Sequence, residues 1–255
     1  MSNIRERAAL VDKVAAAMGK KVYSGETPKN TTFRKDLQKV QSKAATLEDA
    51  IRLSGLKDGM TISFHHHFRG GDKVVNMVVG KLAERGFKNI HLAASSLSDV
   101  HAPLIDHIKN GVITKISTAG LRGELAKEIS HGLMKEPVVF RSHGGRGSAI
   151  AKGDLHIDVA FLGASSSDPA GNASGYSRSE HAKSICGSLG YAKPDAQYAD
   201  KVVIITDDLV DYPNTSNSIP EHDVALSSWT QSETRPRSLP EPSVTQRTLA
   251  TSCSR

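Results

Sequence analysis

Three glycine-rich junctions hold the side chains of this chain best suited to chemistry. The first is Ser63-Phe64-His65-His66-His67-Phe68-Arg69-Gly70-Gly71-Asp72, where an apolar run meets a helical pattern. Glycines there let the backbone approach a ligand, and a helix start offers free N–H groups to a phosphate or carboxylate. His66, Arg69, Gly70 and Gly71 are its candidate binding residues. Three consecutive histidines invite a metal, yet neighbours on a strand face opposite sides, so at most two converge and no metal site is expected. The second junction, Arg141-Ser142-His143-Gly144-Gly145-Arg146-Gly147, offers Gly144, Gly145 and Arg146 as an anion cradle. It lacks the Gly-Lys-Ser/Thr of a P-loop and the spacing of a dinucleotide fingerprint. The third runs from Gly163 through Ser165, Ser166 and Asp168 to Asn172. Small hydroxyl residues beyond a buried strand lie where ligands bind in open α/β sheets. Each junction also has a plain reading: a turn with surface histidines, a structural glycine turn, and an Asx-type turn closed by Asp168 and Asn172. No Gly-x-Ser-x-Gly elbow exists, and no residue is assigned as catalytic.

The elements that must position these junctions alternate between two periods. Val11, Val14, Ala15 and Met18 share a helical face that Gly19 stops, and residues 20–45 read as a polar extended arm. Thr46 with Asp49 forms a capping-box-like start to a second helix. Then Met60–Phe64 reads as a strand, Asp72–Gly86 as a helix and Asn89–Ala93 as a strand. Ser98 caps a helix carrying Leu104, Ile105 and Ile108; Val112–Ser117 is a strand and Leu121–His131 a helix. Pro137–Arg141, Ile157–Ala164 and Lys201–Thr206 complete the short β-branched runs. Such alternation predicts an α/β fold with a largely parallel sheet flanked by helices.

Composition narrows the classes. With 38% hydrophobic and 24% charged residues, the chain suits a globular protein. No apolar run approaches the ~18 residues of a membrane span, and the first residues lack a secretory apolar stretch, so a cytoplasmic location is expected. Two cysteines, Cys186 and Cys253, make no disulfide framework. The net charge of +6 favours anionic ligands, but dispersed basic residues and 5% aromatics argue against nucleic acid. The expected organisation is an arm over residues 1–45, an α/β domain over 46–224, and a Ser-, Pro- and Arg-rich tail over 225–255 that is too polar to order itself.

Taken in order, Ser63–Asp72, Ser142–Arg146, Gly163–Asp168 with Gly171-Asn172-Ala173, and Asp211-Tyr212-Pro213-Asn214-Thr215 with Ile219-Pro220 resemble the α-subunit of citrate lyase. The resemblance spans about residue 5 to Val224. It implies a CoA-transferase-like fold of two related α/β halves. It implies exchange of acetyl for citryl on an acyl carrier protein, releasing acetate, with a β-subunit then cleaving the citryl thioester. The carrier, or γ-subunit, would bring a phosphoribosyl-dephospho-CoA arm, and the α-subunit would bind no cofactor of its own. In related transferases the catalytic glutamate belongs to the second half, which is not expected in this chain; the tail after Val224 resembles a shifted reading frame. A CoA-transferase for another small carboxylate, or a non-catalytic subunit-binding fragment, are the alternatives.

Overall fold

The computed structural model describes residues 13–19, 46–65, 72–176, 189–214 and 217–229. A helical turn at 13–17 stops at Gly19, as the sequence predicts, but its Val14 and Met18 stand exposed. The rest of the expected arm, Cys186, and the tail after Trp229 lie outside the described residues.

Short β-branched runs become strands, and the longer helical patterns between them become the covering layers. Helix α1 (Leu47–Ser54) is capped at its start by Thr46, whose hydroxyl accepts from Asp49 N, and at its end by Gly55 at φ 73°. It leads into β1 (Thr61–Phe64), α2 (Val74–Glu84), β2 (Ile90–Ala94) and a 3₁₀ turn at Asp99–His101. Next come α3 (Leu104–Lys109), β3 (Ile113–Thr118), α4 (Gly123–Ser130) and β4 (Val139–Phe140). Helix α5 (His143–Lys152) returns the chain to β5 (Val159–Gly163). A small hairpin, β6 (Ser166–Ser167) and β7 (Ala173–Ser174), precedes α6 (Lys193–Tyr198), β8 (Lys201–Thr206) and β9 (Leu226–Trp229).

The main sheet has seven strands in the order β4-β3-β2-β1-β5-β8-β9, and every adjacent pair is parallel. Strands β6 and β7 pair antiparallel, in their own two-stranded sheet. Parallel strands need both faces covered, and two cores do this. On one face α1 and α2 bury Leu47, Ile51, Val75, Val78 and Leu82 against Ile62, Phe64, Leu92 and Phe161. Phe64 and Phe161, neighbours in register, stack at 5.7 Å. On the other face α5 and α6 set Ala149, Ile150, Ala196 and Ala199 against Ala93, Ala160, Leu162, Val202 and Ile204.

The structure moves one boundary. Strand β9 lies beyond Val224, inside the segment the composition sets apart as an unordered tail. Ala225 and Leu226 are buried in the first core, and β9 pairs with Val203–Thr206 of β8. Its four residues are too few to show a period, so only the pairing with β8 reveals them. Among the described residues no helix is long and apolar enough to cross a membrane.

Candidate functional site

In a parallel sheet the side chains that can meet a ligand gather beyond the carboxyl ends of the strands, at the point where the connections change direction. Here that point is β1/β5: the chain runs outward from β1 to β4, then α5 crosses back and β5 starts the opposite wing. All three glycine-rich junctions belong to this edge. The first leaves β1, the second opens α5, and the third leaves β5.

The first junction is described only at its ends. His66, Arg69, Gly70 and Gly71 lie outside the described residues. His65 is buried at the end of β1. Asp72, also buried, accepts from Val74 N at 2.9 Å at the start of α2. Its other oxygen stands 3.6 Å from His101 Nε2. His101 Nδ1 accepts from Ser98 N at 2.9 Å, which places the proton of a neutral ring on Nε2, toward Asp72.

The second junction is a helix rather than a glycine loop. Ser142 is its N-cap, with Oγ accepting from Gly145 N at 3.1 Å, so Gly144 and Gly145 sit in the first turn. A Cβ on Gly145 would come within 3.0 Å of that Ser142 oxygen. The helix start lies at the carboxyl edge of the sheet, but Arg146 does not point there. Its side chain is 2% exposed and turns inward to Asp195, itself 0% exposed. The pairing is bidentate, Nη1 to Oδ2 and Nη2 to Oδ1, both at 2.7 Å. Nη2 also donates to Ser63 Oγ at 3.2 Å and to Ala93 O at 3.1 Å, and Ser63 Oγ donates to Asp195 Oδ1. Burial opposes the Arg146 charge, but the Asp195 carboxylate outweighs it and holds the guanidinium above its ordinary pKa. The Tyr191 ring covers the guanidinium at 5.7 Å and meets the His143 ring at 4.7 Å, tilted by 34°. Burial raises the Tyr191 pKa. Arg146, read from the sequence as part of an anion cradle, is thus an internal ion pair, because a carboxylate distant in sequence neutralises it.

The third junction is a bonded scaffold. Ser165 Oγ donates to Gly175 O and Ser166 Oγ to Tyr176 O, both at 2.9 Å, so these buried hydroxyls lace the β6–β7 hairpin instead of facing solvent. The Asp168 carboxylate accepts from Asn172 N at 3.0 Å, Asn172 Nδ2 at 2.9 Å and Asn214 N at 2.8 Å. This is the Asx-type turn of the plain reading, extended to a distant segment. Gly163 ends β5 beneath it. Around this scaffold Tyr176, Leu209 and Tyr212 stand exposed, Tyr212 at 61%.

Sequence reasoning gave no role to Asp195, Ser63 or Asn214. Asp195 follows a proline in a short helix, and no local spacing distinguishes it from a surface acid. Asn214 falls in a stretch that resembles the family, but its bond to Asp168 joins positions forty-six apart. Two further features occupy the opposite edge of the sheet. A polar cleft of about 650 Å³ is lined by Gly59, Thr61, Asn89, His91, Lys115 and Glu136, among others. Beside it, His156 Nε2 lies 3.0 Å from Asp200 Oδ2 and 3.6 Å from Asp158 Oδ1, while Asp158 Oδ2 accepts from Thr61 N. His156 and Asp200 are exposed, and the His156 ring lies between the two carboxylates that precede β5 and β8.

The chain is similar to known proteins in sequence and in fold. The family described as citrate lyase, alpha subunit, matches residues 39–232, through β9 and past Val224. A citrate lyase alpha chain from Haemophilus influenzae is 60% identical over 181 residues, which are 71% of this chain and 35% of that relative. A solved structure described as the alpha subunit of citrate lyase from Streptococcus mutans, in complex with citrate, is 51% identical with a TM-score of 0.71. It is covered by this chain over 38% of its length, with 84% of this chain matched. Glutaconate coenzyme A-transferase from Acidaminococcus fermentans, 12% identical with a TM-score of 0.51, shares the fold, over 74% of this chain and 75% of that one. The chain thus spans little more than a third of the citrate lyase relatives it matches.

Proposed function

The chain belongs to the citrate lyase alpha-subunit family, and on that footing we propose that it forms one α/β half of an acyl transferase that exchanges acetyl for citryl on a carrier thioester. A citrate carboxylate attacks the acetyl thioester carbonyl, its C–S bond breaks, and the carrier thiolate leaves. The thiolate then attacks the citryl carbonyl of the mixed anhydride, forming the citryl thioester and releasing acetate. Both steps demand alignment and stabilisation of a developing oxyanion more than a metal. The start of α5 lies at the edge where such an oxyanion would develop. The carrier is a γ-subunit whose phosphoribosyl-dephospho-CoA arm brings the thioester to this edge, and a β-subunit consumes the product within a multi-subunit, cytoplasmic complex.

The observation that carries this reading is the 51% identity to a citrate-bound structure across 84% of the chain. The described groups bind and orient; no catalytic acid or base is assigned among them, and the remaining machinery belongs to the part of the relatives this chain does not span. The test measures acetyl-to-citryl exchange on carrier protein with this chain and with a form extended to the relatives' length. Exchange in the extended form supports the proposal. A lack of exchange in both forms sinks it.

A further inference from the structure

We propose that the Arg146–Asp195 pair is a positioning device for the ligand-facing end of β1, acting through the hydroxyl of Ser63. This rests on the reading that the carboxyl edge of the sheet holds the acyl-transfer ligands.

Ser63 lies two residues before His65, where β1 ends and the first glycine-rich junction begins. Its hydroxyl accepts from Arg146 Nη2 and donates to Asp195 Oδ1, so one side chain of β1 is gripped by both members of the pair. Arg146 reaches further to the Ala93 carbonyl on β2. Four elements thereby meet at one guanidinium: α5, α6, β1 and β2. The grip is directional. A planar guanidinium with a bidentate carboxylate accepts a narrow range of angles, whereas the surrounding alanines and leucines would tolerate sliding. A buried ion pair contributes little net stability beyond what apolar side chains of the same volume supply, so its distinctive effect is on geometry. Neither member faces a ligand: both are buried and their charges cancel across 2.7 Å.

Two variants of the full chain test this. Ser63→Ala removes the link and keeps the pair. The double variant Arg146→Met with Asp195→Leu removes the pair and retains volume. Three readouts are taken: thermal midpoint, amide exchange over Thr61–His65, and calorimetric binding of citrate and acetyl-CoA. We expect Ser63→Ala to melt within a few degrees of the parent, yet to exchange at least tenfold faster over Thr61–His65 and to bind at least tenfold more weakly. The double variant should do the same. Exchange and affinity within twofold of the parent in Ser63→Ala overturn the proposal, as does a double variant that keeps all three readouts. If the double variant does not fold, Ser63→Ala alone decides. If the parent binds neither ligand, the functional reading fails for this chain, while amide exchange still decides the positioning role.

Discussion

Asn172 and Glu221, forty-nine positions apart, bond each other in both directions: Asn172 Nδ2 donates to Glu221 Oε2 at 3.0 Å, and Glu221 N donates to Asn172 Oδ1 at 2.9 Å. The same asparagine bonds Asp168 through its backbone and its side chain. A turn that could stand alone is thus tied to the segment leading into β9.

The buried Asp168 carboxylate, with three donors, is the centre of that tie. Asp168→Asn replaces one acceptor oxygen with an amide NH2 donor that faces other N–H groups. A loss of about 2–3 kcal/mol is expected, since bonds to charged groups lie in that range. Urea unfolding of parent and variant checks it; an unchanged midpoint would show that the network adds nothing.

Gly123 tests backbone and space together. It opens α4 at φ 72°, and a Cβ there would lie 1.8 Å from Asp99 Oδ1 and 3.0 Å from Asp99 Cα. The side chain can swing away; the backbone beneath it is less free. Gly123→Ala should destabilise by about 1–3 kcal/mol, combining left-handed strain with a close contact. Thermal melting measures this, and the double variant Gly123→Ala with Asp99→Ala should recover only part of it.

Leu226 tests the boundary of the domain. It is 2% exposed and packs in the first core from a strand beyond Val224. Leu226→Ala is expected to cost about 2–5 kcal/mol, the range for buried leucines. A variant as stable as the parent would return β9 to the tail.

His91 gives a pH dependence with a defined sign. Burial lowers its pKa from 6.5, with Lys115 and Arg141 adding to the effect. Its ring bridges Thr61 and Ser117. The unfolded chain therefore takes up a proton below about pH 6.5 before the folded protein does, so stability falls as the pH drops through 6.5 toward the folded value. Above 6.5 His91 contributes no dependence. His107, also lowered by burial, acts in the same direction, so the comparison is between variants. The loss in urea midpoint between about pH 7.5 and 5.5 should be smaller in His91→Gln than in the parent. Equal losses would remove His91 from the account.

Six of the seven strands of the main sheet were readable because each is a short apolar run; Lys201–Thr206 was read to the residue, while β9 was not seen. The Thr46–Asp49 cap was equally plain, since its bonds span three positions. The start of α5 was not. Glycines argue for a turn on local propensity, and tertiary contact overrides it: a Cβ on Gly147 would meet Pro194 Cγ at 3.3 Å, so a small residue lets α5 approach α6. Arg146 was read as part of an anion cradle for the same reason. Its partner lies forty-nine positions away, and charge neutralisation at that distance leaves no trace in spacing.

The strand order also sets a schedule for folding. Strands β1 to β4 and their helices can associate as soon as residue 140 is available, because each pairs with a near neighbour in sequence. The central strand then still lacks one side. Thr61 bonds Asp158 across ninety-seven positions, and Ser63 bonds Asp195 across one hundred and thirty-two. Until those residues arrive, β1 presents a bare parallel edge in the middle of the future sheet. Such late, long-range closure is slow and leaves the edge open to wrong pairing. The nascent first wing, rather than the finished domain, is where this chain should depend most on a chaperone.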